Sequence, residues 1–241
     1  MVAGEAKARS GGSTGEQAIR ETRVRRSQQE RSATARAKLI SAAIELICQR
    51  GFSNTTMADV AALAGMTRGA IQHHFAGRDE LVLSILHELE RQIVTAFDMT
   101  RPKAFLSATE RAARLIDALG TVSQSEAYLA VVDIWMSTRS EAELREGVRA
   151  SMARSFQAYH DMWQRGLAEL VPPAIISDCR RMVVNIMRGV VISRIFIADT
   201  TSVKLTITTC KKMIIRYLEA EVGEIASRRA SPVESVDQAS E

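Results

Sequence analysis

The chain has 241 residues, of which 46% are hydrophobic and 25% charged. That balance fits a water-soluble globular protein long enough to bury a substantial core. No run reaches the roughly 18–20 apolar residues of a membrane span, and residues 1–30 lack the apolar segment of a secretory signal. Both point to a cytoplasmic protein without a membrane partner. Cys48, Cys179 and Cys210 are widely separated and odd in number. They exclude a disulfide framework and have no metal-ligand spacing, so they read as reduced, packed thiols. The net charge of +4 is unevenly placed. Seven basic and two acidic residues lie between Arg20 and Lys38, so this stretch alone carries +5. A focused basic patch suits phosphate contact, although a charge run alone can also be a solvated face.

Residues 1–31 hold hardly any apolar residues and are expected to form a disordered basic arm. From about Ser32 a stripe of Leu39, Ile40, Ala43, Ile44 and Ile47 recurs at helical spacing. Gly51 ends this helix, and Phe52 packs over its end. Thr55 or Thr56 caps a short second helix with Met57, Val60, Ala61 and Ala64 on its inner face. Gly65 supplies the positive φ of a tight turn. Thr67 then caps a third helix, in which Ile71, His74 and Phe75 face inward. Arg68, Gly69, Gln72 and His73 project away. A small residue at Ala61, glycine at the turn and a branched residue at Ile71 are the requirements of a helix-turn-helix. The alternative is an ordinary αα-hairpin. After Ala76-Gly77, the residues Arg78, Asp79 and Glu80 open a long helix carrying Leu81, Val82, Ile85, Leu86, Leu89 and Ile93. The two acids suit the positive end of its dipole.

The run RAKLISAAIELICQRGFSNTTMADVAALAGMTRGAIQHHFAGRDELV resembles the DNA-binding domain of the TetR family of bacterial transcriptional regulators. The likeness covers residues 36–86 without gaps. It includes GF after the first helix, TTMADVA, AGMTRGAI, the HF pair and GRDEL. Two positions depart from the family pattern: Gln72 stands where tyrosine is common, and Arg78 where lysine is common. Glutamine can bond phosphate or pair with adenine, and arginine keeps the charge with a bidentate fork.

The remainder is predicted to be helical, with no competing strand pattern. Pro102 is placed near the start of a helix to Gly120, with Phe105, Leu106, Ala108, Ala112, Leu115, Ile116 and Leu119 inward. Ala127, Tyr128, Val131, Val132, Trp135 and Met136 form the next apolar face. A helix over 141–170 carries Leu144, Val148, Met152, Phe156, Tyr159, Trp163, Leu167 and Leu170, and Pro172-Pro173 breaks it. The last two helices are expected over 174–198 and 202–225. Their stripes are broad, the first from Ile175 through Cys179, Val183 and Ile195, the second from Leu205 through Ile214, Leu218, Val222 and Ile225. The tail over 227–241 is polar and expected to be disordered.

The fold class is therefore all-α: a helix-turn-helix unit over 32–80 followed by a helical unit over 81–226. For DNA, Lys38, Thr56, Thr67, His74 and Arg78 are candidates to position the phosphate backbone. Arg68, Gln72 and His73 are candidates to read base edges, with Gly69 and Ala70 permitting close approach. Both threonines also serve as helix caps, and His74 can simply pack. The resemblance implies that 81–226 binds a small-molecule effector and forms a homodimer. Effector candidates are Tyr128, Trp135, Met136, Phe156, Tyr159, His160 and Trp163, although aromatic stripes on helices are usually core. Dimer candidates on the last two helices are Met182, Ile186, Gly189, Val190, Met213 and Tyr217, with a monomer core as the alternative. The resemblance further implies a repressor on an inverted-repeat operator, with its two recognition helices about 34–36 Å or a multiple apart. The helix from Arg78 is the natural lever between the units. A regulator without an effector is the other DNA-binding reading. An enzyme is disfavoured: no nucleophile–base set is recognisable, His73 and His74 point about 100° apart on a helix, and no cofactor or metal is expected.

Overall fold

The structure is a computed structural model. It describes the backbone of residues 13–98, 105–196 and 200–230, with side chains from Gln28 to Glu224 apart from 99–104, 140, 143 and 197–200. Pro102, the side chains of Arg20, Arg23, Arg25, Arg26 and Ile225, and the tail over 231–241 lie outside the described residues. The described residues form nine α-helices and no strand, as the periodicities predict.

Helix α1 spans Ser13–Arg50. It begins well before the expected start near Ser32. Its first half is rich in Glu, Gln and Arg, which favour helix without needing an apolar face. Gly51, at φ 87°, ends α1, and a 3-10 turn, Phe52–Asn54, buries Phe52. Helix α2 (Met57–Leu63) starts at a capping box: the Thr56 hydroxyl accepts from the Asp59 N–H, and the Asp59 carboxylate accepts from the Thr56 N–H. Gly65, at φ 69°, makes the turn. Helix α3 (Arg68–His74) starts where the Thr67 hydroxyl accepts from the Ala70 N–H at 3.2 Å. Leu39, Ala43, Val60, Ala61, Ile71 and Phe75 form the buried centre of this end of the molecule.

Helix α4 (Arg78–Asp98) runs on into the larger end of the molecule, burying Leu81, Val82, Ile85, Leu86, Leu89 and Ile93. Helix α5 spans Ala108–Val122, starting at a Ser107–Glu110 capping box. It continues past Gly120, which the sequence had suggested as its end. A Cβ there would stand 3.0 Å from Ile207, so Gly120 permits close approach of α5 to α9. Phe105 precedes α5 and is exposed, against the inward placement its spacing suggested. Helix α6 is Glu126–Ser137, followed by a 3-10 turn (Thr138–Ser140), and helix α7 is Ala142–Leu167. Leu170 lies beyond α7 and is exposed. Helices α8 (Pro173–Phe196) and α9 (Thr200–Ala230) complete the chain. Pro173 sits at the first position of α8, where its missing N–H costs nothing. No described helix is long and apolar enough to cross a membrane.

The three cysteines are free. Burial pushes the Cys48 thiol up to about 11 and Cys179 up to about 12, and raises Cys210. They act as packed, protonated thiols.

The α2 capping box gives a pH-dependent prediction. The Asp59 carboxyl lies below its ordinary value of 3.8, chiefly because the Thr56 hydroxyl donates to it at 2.5 Å, with Arg50 at 2.6 Å assisting. A depressed folded-state value stabilises the fold above the unfolded value and is lost as pH falls through the folded value. Asp59→Asn is therefore expected to lower the urea midpoint at pH 7 and to differ less from the parent protein at pH 2. An equal gap at both values would refute the carboxylate's role.

Candidate nucleic-acid interface and effector cavity

The second helix of the pair, α3, buries only Ile71. Arg68, Gly69, Gln72 and His73 are exposed along its outer side, with Ala70 partly covered. Short side chains at Gly69 and Ala70 leave this side open for a base edge to approach. Thr56 and Thr67 are exposed as well as capping, so each keeps an oxygen at the surface. Lys38 is exposed on α1. With Arg31 and Thr34 it lines an open groove against Met66, beside the turn. This puts positive charge next to the recognition helix, as the charge distribution suggested.

Two basic residues have other tasks. Arg78 turns toward the body of the molecule. Its guanidinium lies 4.0 Å from the centre of the Phe52 ring, donates to the Phe52 carbonyl at 3.4 Å and pairs with Glu141 at 3.6 Å. Engaged in this way, Arg78 is withdrawn from the phosphate candidates. Arg36 appeared in the sequence only as part of the basic patch, but the structure makes it a hub. It donates to the His74 carbonyl, to Glu80 at 3.0 Å and to Ser84 at 2.8 Å, and it covers the Phe75 ring at 4.2 Å. It thereby holds the end of α3 against α1 and α4. Its spacing from Leu39 and Ala43, three and seven residues on, is the signal that could have marked it as inward-facing. His74 is half-buried at that junction.

The larger end contains a narrow cavity among α4, α6, α7 and α8, too tight to hold more than about one water molecule. Of the predicted effector residues, Tyr128, Trp135, Phe156 and Tyr159 line it. Three do not. Trp163 is 0% exposed and belongs to the core, Met136 points outward, and half-buried His160 is not part of the lining. The sequence missed Leu89 and Ile93 of α4, which close one wall, and Ser155 and Arg188. Burial raises the Tyr128 hydroxyl and pushes that of Tyr159 well up, so both remain protonated donors near neutral pH.

Helix α6 also meets the DNA-binding end. Asp133 accepts from the Phe52 N–H at 2.6 Å, and the Cys48 thiol donates to the Glu126 carbonyl at 3.4 Å. Asp133 lies two residues from Trp135, so one helical turn touches both the cavity and the segment leading into α2. The sequence reading had given the connecting role to α4 alone.

On α8 and α9, Met182 and Met213 are exposed, Gly189 is open, and Ile186 and Tyr217 are half-buried. Val190 is only 4% exposed and is already covered within the chain, so it is not an outward contact. Ile192, Ile195, Leu205 and Phe196, the last 79% exposed, add to an apolar surface that the single chain leaves uncovered.

A capped helix pair with an open glycine turn and an exposed second helix, backed by an all-helical body, defines a helix-turn-helix DNA-binding regulator. The family model described as bacterial regulatory proteins, tetR family, matches residues 39–85. Residues 39–85 are thus those of a TetR-type N-terminal domain. It is 27% identical to the HTH-type transcriptional regulator CymR of Pseudomonas putida over 179 residues, 73% of this chain and 86% of that one. It is 48% identical to the regulator TtgR of Pseudomonas putida over 66 residues, 27% of this chain and 31% of TtgR. Among solved structures, a TetR transcription regulator from Haloarcula marismortui superposes with a TM-score of 0.61 at 16% identity, covering 78% of this chain and 98% of that one. At that identity the likeness shows the shared fold.

Proposed function

We propose that this protein is a cytoplasmic, non-enzymatic dimeric repressor, released from an inverted-repeat operator by a small, largely apolar effector. The observation that carries this reading is the shared use of α6, which lines the cavity through Trp135 and holds the Phe52 N–H through Asp133. A ligand that widens the narrow cavity displaces α6 and, with it, the helix-turn-helix. Residues 32–80 form the DNA-binding unit in this reading, and 81–226 the effector and dimer unit. Lys38, Thr56, Thr67 and His74 position the phosphate backbone, while Arg68, Gln72 and His73 read bases. The uncovered apolar surface on α8 and α9, with Met182, Ile186, Gly189, Met213 and Tyr217, supports dimerisation through these two helices. A two-fold dimer explains the inverted repeat, because operator symmetry mirrors protein symmetry.

The narrowness of the cavity favours one alternative, a DNA-binding regulator that takes no effector. The two are separated by selecting operator sequences with the purified protein and then measuring operator affinity with and without compounds that bind it. The repressor reading expects inverted-repeat sequences and a fall in affinity of at least tenfold with ligand. Equal affinities reject induction, because a ligand with no preference between the two states shifts nothing.

A further inference from the structure

The effector cavity has one charged lining residue, and its charge is unanswered. Arg188 enters from α8 between two aromatic rings, with its guanidinium 4.5 Å from the centre of Phe156 and 5.9 Å from that of Trp135. Among the described residues no carboxylate lies within 4.0 Å of it. Its guanidinium donates from Nη1 to the Asn185 side-chain oxygen at 3.3 Å and also donates to the Tyr128 hydroxyl oxygen. The Arg188 Nε is buried without a hydrogen-bond partner. So is the indole Nε1 of Trp135, which lines the same cavity. Glu90, a carboxylate that reaches this wall through Ser155, is already engaged: Ser151 donates to it at 2.7 Å, Ser155 at 3.4 Å, and Arg154 lies at 3.8 Å.

Buried donors in native proteins are nearly always satisfied, so two orphans on one cavity mark a missing acceptor. A half-buried cation set against apolar walls likewise favours a counter-charge. The Tyr159 hydroxyl donates to that of Tyr128, which leaves the Tyr128 proton free to donate into the cavity. Leu89, Ile93 and Met152 supply apolar walls on the other side. One cation matches one negative charge; a phosphate dianion would bring a second charge with nothing to meet it.

We infer that the effector is a small organic monocarboxylate with a flat apolar body, its carboxylate held by Arg188, with the Trp135 indole and the Tyr128 hydroxyl as further donors. This rests on the effector reading above and names its ligand class. Arginine suits the task because its planar fork matches a carboxylate, and the flanking rings hold it in place while shielding it from water.

The test is calorimetric titration of the full-length protein with benzoate, phenylacetate and 2-naphthoate, each against its neutral carboxamide, which keeps the shape and loses the charge. At least one acid is expected to bind, with its amide at least tenfold weaker. R188Q is expected to weaken the acid by about 10- to 100-fold, the range of a charge-assisted hydrogen bond, and to weaken the amide less than the acid. R188K should retain part of the preference. An amide that binds as tightly as its acid overturns the carboxylate inference and leaves the effector cavity standing. If neither series binds, the effector reading itself fails, and the inference with it. Should R188Q not fold, as judged by circular dichroism, the comparison of acid and amide on the parent protein decides alone.

Discussion

Replacing Phe75 with alanine is expected to destabilise the protein by about 3–5 kcal/mol, the range for a fully buried phenylalanine. Phe75 is 1% exposed and forms the C-cap of α3, its N–H donating to the Ile71 carbonyl at 2.9 Å. Its ring is the platform on which Arg36 lies while donating to His74, Glu80 and Ser84. Removing the ring leaves a void where α1, α3 and α4 meet. It also removes a cation–π contact of about 0.5–1 kcal/mol, and α3 loses its fixed exit. Stability should fall in urea titrations followed by circular dichroism, and DNA binding should fall further than the folded fraction alone predicts. Phe75→Leu, which fills most of the space but gives Arg36 no ring, separates packing from stacking. A loss below about 1 kcal/mol for the alanine variant would mean that the junction is held elsewhere.

Arg68→Ala is expected to leave stability within about 0.5 kcal/mol, as for other exposed substitutions, and to weaken binding to a selected operator by about 5- to 150-fold. That range corresponds to the roughly 1–3 kcal/mol of one bidentate base contact. Arg68 opens α3, is exposed, and has no partner among the described residues. Its fork is therefore free to meet guanine without breaking an existing bond. The decisive measurement is repeated operator selection with the variant. A base reader leaves one position of the recovered site degenerate. A phosphate contact leaves the site intact, weakens all sequences alike and lowers the salt slope by about one.

The parts of the fold that the sequence announces are those set by local chemistry. Leu39, Ala43 and Ile47 mark the buried face of α1 by period alone. Gly51 and Gly65 take the positive φ that helix ends require, and Thr56 and Thr67 cap as their positions suggest. Less legible was everything decided by distant partners. Periodicity puts Trp135 and Trp163 on inward faces alike; only the neighbouring helices put the first at a cavity and the second in solid core. Arg36, Asp133 and Arg188 meet partners on other helices, and nothing in their immediate sequence names those partners. The start of α1 was missed for a different reason: its first turns owe their form to propensity, while an apolar stripe reports only burial. Phe105 errs the opposite way, an aromatic at the right spacing but outside the helix it was assigned to.

The double engagement of α6 has a thermodynamic consequence. Under the proposed induction, Asp133 and Trp135 ride on the same turn, so filling the cavity and gripping DNA draw on one conformational equilibrium. Linkage then works in both directions: whatever factor the effector takes from operator affinity, the operator must take from effector affinity. The DNA-bound protein is thus the poorer receptor by that same factor. The concentration needed to clear an operator rises with the affinity of the site it occupies, so strong and weak operators of one regulator would open in sequence along a single rising concentration of ligand.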